Sequence, residues 1–188
     1  IVVGSGAIGS EFAWFFNSLG VEVILVEFLP NIVPLEDEEV SKQLARSFKK
    51  AKMKIMLDSE VESVDTTGQG CKVKIKTKKG VVDETCDIVL SAVGIATNID
   101  GIGLEETGIK TEKGKVVVDE FYRTNVDWVY AIGDIVHGPA LAHTASHEGI
   151  TCVEKIAGMD VEPIDYNNIP ACTYTNPEVA SVGYTEKQ

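Results

Sequence analysis

An apolar triplet, Ile1-Val2-Val3, opens the chain. It is followed by Gly4-Ser5-Gly6-Ala7-Ile8-Gly9 and a helix-like stretch, and a second apolar run over residues 21–26 ends in Glu27. Short apolar runs flanking a helical segment predict a βαβ unit over residues 1–27, with its helix over roughly 7–19. Residues 29–36 carry Pro30 and Pro34 and read as a loop. Asp37 then begins an acidic first turn. The spacing predicts a helix over 37–51 with Val40, Leu44 and Phe48 on one face. Residues 53–57 read as a short strand. Apolar positions at 61–64, strict alternation over 71–76 and Val81-Val82 predict an antiparallel meander, with turns at 67–70 and 78–80. Lys72, Lys74 and Lys76 alternate with apolar residues, the pattern of one solvated strand face. Residues 87–94 form a buried-type strand ending at Gly94. A strand returning after a meander closes the parallel sheet beside the first strand, so Gly94 falls on the same edge as the glycine-rich turn.

The second half changes character. A short strand is expected over 116–119. A further apolar run, 129–134, ends in Gly133-Asp134. Gly138-Pro139 precedes a helix over 140–157, residues 163–170 read as a linker, and 171–174 and 179–182 read as strands. Trp14, Phe15 and Phe16 are expected in helix-to-sheet and interface core, and the acidic run 36–39 as a solvated helix start.

The glycine turn carries chemistry. Gly4 permits the tight strand-to-helix turn, Gly6 lets a pyrophosphate approach the backbone, and Gly9 lets helix and strand pack closely. The helix N-terminus offers free N–H groups and positive dipole to phosphates. Glu27 stands eighteen residues past Gly9, where a carboxylate accepts hydrogen bonds from ribose hydroxyls and repels a 2′-phosphate. No Arg or Lys occurs in Phe28-Leu29-Pro30-Asn31. The pattern therefore specifies NAD rather than NADP.

The 188 residues carry a net charge of −12, which argues against nucleic acid or an anionic membrane as partner. No apolar run approaches the roughly 20 residues of a membrane span. Cys71, Cys86, Cys152 and Cys172 form no CxxC pair and read as reduced cytosolic thiols, without a disulfide framework or zinc site. A first residue other than Met and a last residue inside a fresh helix start, Thr185-Glu186-Lys187, lead to the expectation of a piece of a longer chain.

Residues 124–134, Thr-Asn-Val-Asp-Trp-Val-Tyr-Ala-Ile-Gly-Asp, are similar to the second flavin motif of two-dinucleotide-binding flavoproteins. Three other stretches join them: the glycine motif with Glu11 and Glu27, Gly138-Pro139-Ala140-Leu141-Ala142-His143, and residues 174–183. Over essentially its whole length the chain resembles the pyridine nucleotide-disulfide oxidoreductases. The resemblance implies an α/β fold. Residues 1–118 would be a Rossmann-like NAD-binding domain (parallel sheet with helices plus antiparallel meander), 119–165 the C-terminal part of an FAD-binding domain, and 166–188 the start of a dimerisation domain.

It also implies roles. Gly4, Gly6, Ala7, Ile8 and Gly9 would bind the NAD pyrophosphate and Glu27 its adenosine ribose, with Val61 near the adenine. Gly94 would approach the nicotinamide half, and Glu11 would point toward the junction of nicotinamide and flavin. Asp134 and the backbone of Ala140, Leu141, Ala142 and His143 would bind FAD. Ile95-Ala96-Thr97-Asn98 departs from the Arg and Pro that usually follow the glycine matching Gly94.

The implied chemistry is a relay from a dithiol through an enzyme disulfide and FAD to NAD. The redox-active cysteine pair, the His–Glu acid–base pair and the first FAD glycine motif do not occur within residues 1–188. The segment alone is therefore expected not to catalyse the thiol reaction. Implied partners are a second copy and the lipoyl domain of a 2-oxo-acid dehydrogenase or glycine cleavage complex. The implied location is cytoplasm, or the mitochondrial matrix in a eukaryote. Two alternatives stay open: a non-catalytic NAD-binding redox-sensing module, and a glutathione or mercuric reductase-like relative. His143 and His147, at i, i+4 with Glu148 adjacent, read as a flavin-adjacent and a surface histidine rather than a zinc face. Exposed apolar surface is expected on residues 171–183 and on the helix after Pro139.

Overall fold

The opening triplet supplies β1 (Val2–Val3), the centre of a parallel sheet in the computed structural model, which describes residues 1–188. Gly4 turns the chain into α1 (Ala7–Ser18), which leads to β2 (Ile24–Val26), α2 (Glu38–Lys50) and β3 (Lys54–Met56). A meander follows, formed by β4 (Glu60–Asp65), β5 (Cys71–Thr77) and β6 (Gly80–Cys86), and then β7 (Leu90–Ser91). The parallel sheet has the order β3-β2-β1-β7. Val3 pairs with Val26 on one side and Ser91 on the other, so the strand order reverses at β1.

Residues 1–95 with 170–188 form one unit, and residues 96–169 form a second. The core of the first unit lies where α2 meets the sheet. Leu25, Ile32, Leu44 and Phe48 are fully buried there, and Trp14 stacks on Phe48 at 6.2 Å between centroids. Asp37 caps α2 by accepting from the Glu39 N–H, with Glu38 and Glu39 in the first turn. The buried face of α2 is Ser41, Leu44 and Phe48, whereas Val40 is exposed. The helix continues its stripe three residues back from Leu44 instead of four. Ser41 tolerates that position because its hydroxyl donates to the Val33 carbonyl. Of the three consecutive aromatics, Trp14 and Phe16 pack on the core while Phe15 faces solvent, because one helix turn cannot aim three adjacent side chains inward.

The meander is antiparallel, β4-β5-β6. Val73 and Ile75 are completely buried while Lys72, Lys74 and Lys76 are exposed, as the alternation requires. Lys78-Lys79 form the two-residue turn between Thr77 and Gly80, and at the open end of the hairpin Cys71 pairs with Cys86.

In the second unit, β8 (Thr111–Glu112) and β9 (Lys115–Val116) make a small hairpin, so the strand expected over 116–119 ends at Val116. The apolar run 129–134 is not a strand. It meets the chain at the single bridge Arg123–Tyr130 and then enters a 3-10 turn, Gly133–Ile135. An apolar run becomes a strand only where a neighbour supplies a ladder of hydrogen bonds. Helix α3 (Ala142–Ile156) follows, and a 3-10 turn at Tyr166–Asn168 occupies the expected linker. The chain then returns to the first unit as the antiparallel pair β10 (Ala171–Thr173) and β11 (Val179–Ser181). Ile150, Val153 and Ile156 on α3 are exposed, as are Tyr174 and Val182, whereas Val179 is buried. No helix is long and apolar enough to cross a membrane.

Candidate functional site

A cleft of about 580 Å³ opens at the carboxyl edge of the parallel sheet, where the strand order reverses. Gly4, Ser5 and Gly6 form one wall, Glu27 and Val61 another, and Gly94 closes the rim. Five residues singled out in the sequence thus meet in one cavity.

Each glycine has its own physical reason. Gly4 has φ +92°, and a Cβ there would lie 2.5 Å from the Ala92 carbonyl oxygen. A Cβ on Gly9 would overlap the Gly4 carbonyl, coming within 2.9 Å of its carbon, and would press on the Ala92 methyl at 3.3 Å. Gly9 is therefore demanded by packing of α1 on the turn. Gly6 differs. Its φ is −62°, which any residue adopts, and nothing lies within 4 Å of a Cβ added there. Neither strain nor packing within the chain calls for glycine at position 6. As N-cap of α1 it supplies no side-chain hydrogen bond, so the first-turn amides of Ala7 and Ile8 have no side-chain cap.

The turn is tied down by a buried network. Gly4 N–H donates to the Val26 carbonyl at 2.8 Å, and the Ser5 carbonyl accepts from Val33 N–H at 2.8 Å and Ser10 Oγ at 2.9 Å. Glu27 is 7% exposed. Its Oε2 accepts from Ser5 N–H and Ser5 Oγ, both at 2.7 Å, and its Oε1 accepts from Leu29 N–H at 2.8 Å. A carboxylate offers about four lone-pair sites, so these three donors leave one acceptor position on Oε1. Ser5 and Ser10 were not singled out in the sequence, because their spacing carries no signal until the turn folds. Glu11, on α1, accepts from the Tyr174 N–H at 2.8 Å, which joins α1 to the chain just past β10.

The second unit holds its own polar constellation. Glu148 is 1% exposed on the inner face of α3, in line with Thr144 and Cys152. Its Oε2 accepts from the Gly133 N–H at 2.5 Å, and its Oε1 accepts from the Tyr166 hydroxyl at 2.6 Å. The Tyr166 and Tyr122 hydroxyls are 3.1 Å apart. Burial, and then the Glu148 carboxylate, push the Tyr166 hydroxyl far above the ordinary tyrosine range, and burial also raises Tyr122. Lys115 Nζ donates to the Val136 carbonyl at 2.8 Å. The loop from Gly133 to Gly138, which carries the exposed Asp134, is therefore held from within by Glu148 and by Lys115. Ala140 and Leu141 precede α3, and Ala142 and His143 open it. The Glu148 carboxylate is committed to Gly133 and Tyr166, which removes it from the His143–His147 face. Glu148 carried no clear signal in the sequence, since its neighbours at i−4 and i+4, Thr144 and Cys152, do not mark an apolar face.

A parallel sheet of this order, with a glycine turn and an acid at its reversal edge, defines a doubly wound α/β protein. The sequence profile of the pyridine nucleotide-disulphide oxidoreductases matches residues 1–149, and the chain belongs to that family. A dihydrolipoyl dehydrogenase of Rhizobium etli is 47% identical over 188 residues, covering 99% of the chain and 39% of the relative. A mitochondrial dihydrolipoyl dehydrogenase 2 of Arabidopsis thaliana is 46% identical, covering 100% of the chain and 38% of the relative. The crystal structure of LpdA from Mycobacterium tuberculosis superposes with a TM-score of 0.88 at 32% identity, over 99% of this chain and 40% of that one. The chain spans about two fifths of the length of the curated relatives it matches.

Proposed function

We propose that this chain is the NAD-binding segment, with adjoining flavin-site and dimerisation pieces, of a dihydrolipoyl dehydrogenase. The observation that carries the reading is Gly6: a glycine with no conformational or packing demand on it, facing an open cleft beside uncapped helix amides. A pyrophosphate is the group that needs such a bare approach. The remaining acceptor position on Glu27 suits a ribose hydroxyl, and its negative charge disfavours a 2′-phosphate. Ala7, Ile8 and Gly9 would present the amides, Val61 would face the adenine, and Gly94 and Glu11 would serve the nicotinamide side.

Asp134 and residues 140–143 would hold FAD. The fit rests on an exposed carboxylate on a tethered loop and on α3 beginning without a side-chain cap. Held there, FAD would supply electron transfer between a dithiol and NAD. This chain's own part is to bind and orient the nucleotide. The boundaries that go with the reading are 1–118 for the NAD-binding domain, 119–165 for the flavin-site piece and 166–188 for the start of the dimerisation domain. The parent enzyme would work as a homodimer on the lipoyl domain of a 2-oxo-acid dehydrogenase or glycine cleavage complex, in the cytoplasm or mitochondrial matrix.

Calorimetric titration of the 188-residue chain with NADH and with NADPH tests the reading. NADH binding at least tenfold tighter than NADPH binding is expected. Equal affinities, or a preference for NADPH, would overturn the assignment of Glu27.

A further inference from the structure

Two of the four cysteines, fifteen residues apart in sequence, stand directly opposite each other. Cys71 opens β5 and Cys86 ends β6, and the antiparallel register pairs them. Residues paired in this way project to the same face of the sheet. Both side chains are half-buried against the cluster formed by Val73 and Ile75. Directly opposed residues in an antiparallel pair have Cα atoms about 4.5–5.5 Å apart. A disulfide spans about 4.4–6.8 Å between Cα atoms. The backbone here is therefore already set for a bond between them.

Two further contacts hold the strand ends together. Cys71 Sγ lies 3.7 Å from the carbonyl of Asp87, the residue that follows Cys86 just past the end of β6. Gly70, with φ +76°, brings its backbone so close that an added Cβ would sit 2.8 Å from the Cys86 carbonyl oxygen. The other two cysteines are differently placed. Cys152 is buried in α3, and burial pushes its thiol up, while Cys172 lies on β10 opposite Ala180.

We propose that Cys71 and Cys86 are a reversible cross-strand dithiol–disulfide site, closed by exchange with a small-molecule disulfide such as oxidised glutathione. In the first step the thiolate of one cysteine attacks a sulfur of the small disulfide, forms a mixed disulfide and releases one thiolate. In the second step the opposed cysteine, as thiolate, attacks the protein sulfur of that mixed disulfide. The Cys71–Cys86 bond forms and the second small thiolate leaves. The two cysteines have then lost two electrons and two protons, and one small disulfide has become two thiols. The link ties the open end of the hairpin, the end from which the chain continues into β7 and to Gly94 in the cleft. The site stands independently of nucleotide binding.

The test incubates the 188-residue chain with oxidised glutathione, native and in urea, quenches with iodoacetamide and maps peptides by mass spectrometry. The native chain is expected to give a Cys71–Cys86 linked peptide, two hydrogens lighter than the reduced pair. Closure should be about tenfold or more faster than in urea, where the register is lost. The Cys86→Ser variant should stop at a stable glutathione adduct on Cys71, and Cys71→Ser at one on Cys86. Separate adducts on both residues of the native wild-type chain would overturn the proposal. So would a link to Cys172, a link forming equally fast in urea, or reaction at Cys172 while this pair stays reduced.

Discussion

Gly6 and Gly9 sit three residues apart in one motif, and the structure assigns them opposite demands. For Gly9→Ala, the new methyl meets the Gly4 carbonyl, 2.9 Å from its carbon, on one side and Ala92 Cβ at 3.3 Å on the other. The nearer obstacle is backbone, so no side-chain rotation relieves it, and α1 must back away from the turn by roughly 1.5 Å to restore ordinary contact. Overpacking of this kind costs about 1–3 kcal/mol, and a rigid backbone neighbour puts this case near 3. That is a large share of the roughly 5–15 kcal/mol that holds a domain together. For Gly6→Ala, the methyl enters open space at φ −62°. Its only structural cost is a poorer N-cap residue, less than about 1 kcal/mol. The same methyl stands where the proposed pyrophosphate comes closest, so affinity for NADH should fall at least about tenfold, or 1.4 kcal/mol. Urea denaturation and NADH titration of both variants separate the two effects. A Gly6→Ala chain that binds NADH as the wild type does would refute the pyrophosphate argument. A Gly9→Ala chain of wild-type stability would refute the packing argument.

Two other outcomes follow from the second unit. Glu148→Ala takes the acceptor from the part-buried Gly133 N–H and leaves the Tyr166 hydroxyl with Tyr122 as its remaining partner, so a loss of about 1–3 kcal/mol is expected in urea melts, with faster amide exchange at Gly133. Tyr122 and Tyr166 have folded-state values raised above the unfolded value of about 10, so their contribution to stability is intact below that pH and is lost as the pH rises beyond it. Ultraviolet titration should show these two phenols ionising above the ordinary tyrosine range, together with alkaline unfolding. Ionisation of all five tyrosines near pH 10 in a chain still folded by circular dichroism would contradict the buried network.

What could be read before folding was whatever depends on near neighbours along the chain. The strand–glycine turn–helix unit follows from apolar runs and glycine spacing, and the face of β5 follows from a two-residue period. The cap at Asp37 needs only the residues beside it. Glu27 was legible by its distance from the turn, although its three donors were not, because Ser5 and Leu29 reach it only when β1 and β2 lie side by side. Other features depend on which segment meets which. Ser41 replaced Val40 on the inner face of α2 because the Val33 carbonyl was there to receive its hydroxyl. The run at 129–132 had the composition of a strand and lacked a neighbour to pair with beyond the bridge at Tyr130. Glu148 reads as a helix-surface acid until Gly133 and Tyr166 close over it. The spacing of Cys71 and Cys86 says nothing about pairing, yet the turn at Lys78-Lys79 sets a register that brings them face to face. Periodicity determines which way a residue points on its own element. Only long-range register decides what it points at, since that partner is chosen by the packing of distant segments.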